Sequence, residues 1–294
     1  MTRELLLLSD KSSGSTILEH EILKHSKIEH VKYTSHLDHE TLYWLKAAVL
    51  LKKSKHLFFG GKYPFPVSYA KTSILKFLKK NGVGATKIET INDVSSGWSK
   101  ISNIKDKIFF EKSPHHLNHK ASTYLLADYA NNNPDVKVIG LVRDPRAVIY
   151  STLDRWYSNP YDRQYKWLYT YENLLLFENL ILDKSQLIKI RYEDLIENPK
   201  KMLNKVVNHL NVDWEEGLGD GIHQNSKEKW KRNNFNFHFS KEVIQLSKIY
   251  GYDIKEVKLN KDENKFKVKI SFRMFYTLFR SWFKKNMNYL ILKK

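Results

Sequence analysis

Leu5-Leu6-Leu7-Leu8-Ser9-Asp10-Lys11-Ser12-Ser13-Gly14-Ser15-Thr16 is the stretch on which the fold turns. Its four leucines read as a buried strand, and Ile17-Leu18 with Ile22-Leu23 recur at the spacing of one helix face. A turn of small residues joins the two. Such a junction aims unpaired backbone N–H groups and the positive end of a helix dipole at one point. Lys11 adds a full charge beside that point. The small residues Ser12, Ser13, Gly14, Ser15 and Thr16 admit a close ligand, and their hydroxyls can donate to oxyanions. Taken alone, the stretch fits an anion cradle and a plain strand-to-helix turn equally well.

Further strand-like runs follow at Leu57 to Phe59, Ile108 to Phe110, Val136 to Val142 and Leu187 to Ile190. Helical patterns lie between them: Leu42 to Leu51, Ile74 to Leu78, Ser122 to Tyr129, Trp167 to Leu182 and Met202 to Leu210. Strands separated by helices predict a three-layer α/β/α fold with a central, mostly parallel sheet. Right-handed crossovers place the turns after such strands along one edge of the sheet. Lys11, Lys112, Arg143 and Tyr192 all fall at or just after strand ends, so four segments are expected to meet in one crevice.

The chain has 294 residues and no cysteine, which excludes disulfides and thiolate metal sites and suits a cytoplasmic protein. No run approaches the roughly 18 apolar residues of a membrane span, and the early apolar run is too short for a signal peptide. Fifty basic against thirty-two acidic side chains leave a formal charge of +18, which favours polyanionic partners. Much of the lysine is scattered, so compositional bias accounts for over half of that excess. The twelve histidines form no ligand pattern, and no metal is implied. Trp98, beside Ser95, Ser96 and Gly97, reads as a residue packed on the domain surface rather than a stacking platform.

Val138-Ile139-Gly140-Leu141-Val142-Arg143-Asp144-Pro145-Arg146, running on to Ser151, is the second informative segment. Asp144 can cap the helix that follows and Pro145 suits its first turn. Arg143 then leaves the strand end as a forked, permanently charged phosphate ligand, and Ser151 adds a hydroxyl two turns on. A structural arginine–carboxylate pair explains the same residues about as well.

In sequence these segments resemble the sulfotransferases that use 3′-phosphoadenosine 5′-phosphosulfate (PAPS). Lys11 to Thr16 is similar to that family's 5′-phosphosulfate loop, and Arg143 through Ser151 to its 3′-phosphate motif. Arg191-Tyr192-Glu193-Asp194 resembles the segment whose Tyr lies near the adenine. Glu111-Lys112-Ser113-Pro114-His115 resembles the stretch that supplies an active-site Lys, and Lys227-Glu228-Lys229-Trp230-Lys231 the late basic loop over the nucleotide. The segments occur in family order over about residues 4 to 252, a sulfotransferase domain placed at 1–257. What the resemblance implies is a P-loop-like fold and PAPS as sulfuryl donor, with Lys11, Lys112 and His115 catalytic. Arg143, Ser151, Tyr192, Trp230 and Lys231 would join the N-terminal loop around the nucleotide. Many family members carry a His where Pro114 stands here, so His115 is the first choice of general base. Glu29, His36, Asp38 and Glu40 are the alternatives.

The implied reaction moves a sulfuryl group to a hydroxyl or amine of an acceptor, and the basic surface favours a glycan or glycolipid. A nucleotide kinase is the competing enzyme, but no Gly-Lys-Ser/Thr follows Gly14. A nucleic-acid-binding module is the non-enzymatic alternative, although no recognition-helix, zinc-finger or RNA-binding signature is present. Residues 258–294 form a basic, aromatic extension. Within it Phe272 to Leu292 reads as an amphipathic helix, suited to peripheral membrane contact through 270–294 or to packing on protein.

Overall fold

The computed structural model describes residues 3–254 apart from 35–38, 85–86, 105, 224–227, 234 and 236. The expected extension at 258–294, with its amphipathic helix, lies outside them, as do His36, Asp38 and Lys227. No helix among the described residues is long and apolar enough to cross a membrane.

Five parallel strands form one sheet in the order β2-β3-β1-β4-β5, with β1 at Glu4–Ser9, β2 at Ile28–His30, β3 at Ile108–Lys112, β4 at Val136–Val142 and β5 at Leu187–Arg191. Central β1 pairs with β3 and β4, so that Leu7 sits between Lys112 and Ile139. Its four leucines are fully buried because both faces of the sheet are covered, the usual reason a parallel strand reads as an unbroken apolar run. Leu5 and Leu7 face α1 (Ser15–Ile22), α8 (Tyr192–Glu197) and α9 (Pro199–Leu210). Leu6 and Leu8 face the opposite core, built by α2 (Tyr43–Leu50), α3 (Val67–Lys80), α4 (Ile91–Ser102), α5 (Lys120–Asn131), α7 (Pro160–Leu180) and α11 (Lys241–Ile249). Each fully buried leucine contributes roughly 2 kcal/mol. The two remaining helices are α6 (Pro145–Trp156) and the short α10 (Lys229–Arg232).

Chain order and sheet order reverse around β1: β2 and β3 lie on one side, β4 and β5 on the other. Ligands of open α/β sheets bind at such a reversal, beyond the strands' carboxyl ends. Helix α6 begins as its sequence dictates, with the Asp144 carboxylate accepting from the Arg146 amide at 2.8 Å and Pro145 in the first turn.

Three local expectations fail. Residues 57–59 are not a strand but part of two 3₁₀ turns, Lys55–Leu57 and Phe59–Gly61, joined to the rest by a single antiparallel bridge from Phe58 to His119. Two glycines at positive φ, Gly60 and Gly61, end the run before it can extend. Edge strand β2 was hidden by its brevity, since Ile28 is its only apolar residue. Trp98 is in the core rather than on the surface, fully buried on α4, with its indole N–H donating to Glu4 at 2.6 Å. The capping box of Thr90 and Asp93 starts that helix.

Candidate active site

The loop between β1 and α1 is held from beneath. Ser13 donates from its amide and hydroxyl to the Asp10 carbonyl, at 3.3 and 2.5 Å. The Asp10 carboxylate accepts from the Lys11 amide at 2.7 Å and from Arg163 of α7 at 2.6 Å. Burial pushes the Asp10 carboxyl upward in pKa while the Arg163 guanidinium opposes it. Arg163 also donates to the Lys11 carbonyl at 3.0 Å, and Arg143 to that of Ser12 at 2.8 Å. With these carbonyls engaged, the loop turns through positive φ at Ser12 and Gly14, and α1 starts without a side-chain cap. Its first amides therefore stay available to an anion.

A cleft of about 380 Å³ opens over the loop. Its lining includes Lys11, Ser12, Gly14, Ser15 and Thr16 of the loop, Arg143, Ser151 and Arg155, and the rings of Tyr192 and Trp156. Arg143 is nearly buried, its guanidinium 4.2 Å from the Tyr192 ring centre, and its Nε has no hydrogen-bond partner among the described residues. A recess continues from Arg143 and Ser151 past Tyr150 to Lys229 and Trp230. Trp230 stacks on Arg146 at 4.4 Å, and Lys231 pairs with Glu228 at 2.5 Å beside a further recess that reaches Tyr192.

A second chamber, of about 340 Å³, lies on the other side of Lys11. Its walls include His115, His119, Phe59, Tyr169, Arg163 and Lys166. Lys11 lines both cavities and sets its ammonium 3.9 Å from the Trp156 ring centre. Burial lowers its pKa, and the nearby Arg163 and Lys166 charges act in the same direction, only partly offset by Glu40 and Asp10. Lys11 is a cation under electrostatic pressure, which an arriving anion would relieve.

Among the residues singled out in the sequence, Lys11, Ser12, Gly14, Ser15, Thr16, Arg143, Ser151 and Tyr192 line the main cleft. Trp230 and Lys231 border its extensions, and His115 lines the second chamber. Two residues turn away. Ser13 is buried under the loop, its hydroxyl spent on Asp10. Lys112 ends β3 as expected, yet its ammonium is buried, 3.1 Å from Glu19 and 3.6 Å from Glu40, and lines neither cavity itself. Of the alternative bases, Glu40 lines the main cleft, whereas Glu29 lies on β2 and lines neither cavity. Sequence reading missed Arg163, Lys166, Tyr169 and His119, which carry no local motif and meet only through the packing of α7 against the loops. No group of three His, Asp or Glu side chains that could hold a metal occurs among the described residues.

The model of the sulfotransferase family matches residues 7–216, from the first strand past α9. The chain belongs to the sulfotransferase family. Two solved sulfotransferase domains share the fold. That of the Synechococcus PCC 7002 olefin synthase aligns at 20% identity and a TM-score of 0.57, covering 86% of this chain and 95% of its own. That of the curacin biosynthetic pathway aligns at 19% identity and a TM-score of 0.59, covering 87% and 99%. Among curated proteins, none matches this sulfotransferase in sequence.

Proposed function

We propose that this sulfotransferase uses PAPS as donor and moves its sulfuryl group to a hydroxyl of a saccharide acceptor. The observation that carries the reading is Lys11, a pressured cation that lines both a second chamber and a cleft where the start of α1 meets Arg143, Ser151 and Arg155. A nucleotide phosphorylated at both its 5′ and 3′ ends suits that cleft. The α1 amides and Lys11 would take one phosphate, and Arg143, Ser151 and Arg155 the other. Trp230, half-exposed, offers a flat surface for the base.

PAPS supplies an activated sulfuryl group whose departure leaves negative charge on the 5′-phosphate. Lys11 and the loop amides are placed beforehand to stabilise that charge, the largest single contribution such a site makes. His115, in the second chamber, takes the proton of the attacking hydroxyl. Glu40 is the less favoured base because it borders the donor cleft and is engaged by buried Lys112. A saccharide suits the chamber because Phe59 and Tyr169, 5.3 Å apart, present ring surfaces while His119 and Lys166 present donors. Lys166 adds a preference for acidic sugars, because the only carboxylate lining the chamber among the described residues, Asp10, is already paired with Arg163.

The test offers purified protein labelled PAPS with matched neutral and acidic sugars and follows acceptor mass. In parallel, 3′-phosphoadenosine 5′-phosphate (PAP), ATP and DNA are compared as stabilisers against heat. Stabilisation by PAP and sulfation of a sugar support the reading. Stabilisation by ATP but not PAP would sink the donor assignment, and sulfation confined to non-sugar alcohols would sink the acceptor class.

A further inference from the structure

Three histidines follow β3 within five positions, and their surroundings give each a different protonation pattern. His116 is fully buried, its Nε2 3.3 Å from Glu111, and takes no part in the chamber. His119 accepts the Phe59 amide proton on Nδ1 at 3.0 Å. Burial holds its pKa down to about 4, so near neutrality its single ring proton sits on Nε2. His119 can therefore donate a hydrogen bond through Nε2 but cannot serve there as a base.

His115 differs. As the side-chain amide is placed, Asn118 Nδ2 lies 3.0 Å from His115 Nδ1 and Asn118 Oδ1 lies 3.1 Å from the Thr170 hydroxyl. Thr170 has one proton, and the Lys166 carbonyl accepts it at 2.7 Å along the helix. An Asn118 oxygen facing Thr170 would then set two lone pairs against each other. Turning the amide by half a rotation resolves this: the Asn118 NH₂ donates to Thr170, and its oxygen faces His115. An oxygen there needs a donor, which only an Nδ1–H can be.

We infer that Asn118, braced by Thr170, is a positioning residue that holds the His115 proton on Nδ1 and the lone pair on Nε2. The two chamber histidines thus carry opposite tautomers, one a proton acceptor at Nε2 and the other a donor. When His115 takes the proton of an acceptor hydroxyl on Nε2, Nδ1–H continues to donate to the neutral Asn118 oxygen. The ring becomes an imidazolium without rearrangement, and nothing in Asn118 competes for the proton. The catalytic use of this tautomer rests on His115 being the base, as proposed above; the tautomer itself does not.

Long-range ¹H–¹⁵N spectra of the full-length, histidine-labelled protein near neutral pH test the inference directly. The expected result is an unprotonated Nε2 and a protonated Nδ1 for His115, with the opposite arrangement for His119. Asn118→Leu should convert the His115 signals to a mixture of tautomers, and Asn118→Asp should restore the Nδ1–H form. In turnover with labelled PAPS, Asn118→Leu should lower kcat at least about tenfold with KM for PAPS unchanged, within the 10²–10⁴ worth of a general base. A protonated Nε2 on His115 in the unaltered protein would overturn the inference, whether or not the variants fold. Unchanged His115 signals in Asn118→Leu would do the same. Should the tautomer be as expected while His115→Gln retains full turnover, the assignment of the base fails and the role of Asn118 in setting the tautomer stands.

Discussion

The Tyr192 ring lies across Gly14, so close that a β carbon at Gly14 would stand 2.2 Å from the ring's Cδ2 and Cε2 atoms. Gly14 also has φ +92°, a conformation that costs other L-residues roughly 1–2 kcal/mol. The loop after β1 and the start of α8 after β5 are therefore fitted to each other, although more than half of the chain separates them. The same ring supports the Arg143 guanidinium. One aromatic thus touches both the loop after β1 and Arg143.

Gly14→Ala is expected to weaken PAP binding by tenfold or more, because the loop must move off Tyr192. Adding Tyr192→Ala removes the collision but not the backbone strain, and it also removes the support under Arg143. The double variant should recover thermal stability more than PAP affinity, as read by melting curves with and without PAP. Recovery of both in parallel would mean that Tyr192 acts only as an obstacle.

Lys11 and Arg143 should separate turnover from binding. Under the proposed reaction, Lys11 gains most once charge grows on the leaving phosphate, so Lys11→Ala should chiefly lower kcat, by 10²–10³-fold at the scale of a lost oxyanion donor. Arg143 holds the donor's other end equally before and during transfer, so Arg143→Ala should chiefly raise the Kd for PAP. Calorimetric titration with PAP and initial rates with labelled PAPS decide this, and the reverse pattern would exchange the two roles.

How much of this was legible follows from which interactions are local. Leu5 to Thr16 and Val138 to Ser151 each contain a strand, a turn and a helix start in consecutive residues, so spacing alone exposes them. The order of the four strand-end segments then points to one crevice. The second chamber is different in kind. Phe59, His119 and Tyr169 come from a 3₁₀ turn, a helix cap and a long helix whose mutual placement depends on tertiary packing. Arg163 looks like any arginine on α7 until Asp10 is found beneath it. Lys112 stands at its strand end as expected, but nothing in the sequence marks Glu19 and Glu40 as the partners of its buried ammonium.

We propose from that arrangement that Lys112 acts as a support rather than a donor ligand, and the distinction is measurable. Lys112→Met leaves the buried Glu19 without its cation and loosens Glu40. A loss of roughly 3–5 kcal/mol in stability is expected, the usual result of breaking one partner out of a buried pair. Lys112→Met/Glu19→Gln should regain a large part of it. In protein that remains folded at low temperature, PAP affinity should fall less than in Arg143→Ala. An Arg143-sized loss of affinity with little loss of stability would return Lys112 to the donor site.

Far from the cleft, buried Glu4 gives the fold its own pH dependence. Burial raises its pKa from 4.5 to about 7, against the lowering effect of hydrogen bonds from Trp98 and Tyr129. Between these values the unfolded chain has released a proton that the native protein still holds. Stability contributed at this site therefore falls as pH rises from about 4.5 to about 7, by on the order of 3 kcal/mol, and is level above that. His119 and His209 act in the opposite sense. Burial lowers both to about 4, so the unfolded chain binds their protons first and stability rises with pH toward about 6.5. The net profile mixes these effects, so the informative quantity is the difference between the protein and Glu4→Gln in urea unfolding across that range. The difference should grow in favour of Gln as pH rises through the window, provided the amide keeps an oxygen toward Trp98. A difference that does not change with pH would mean that Glu4 keeps an ordinary carboxylate pKa and is charged throughout.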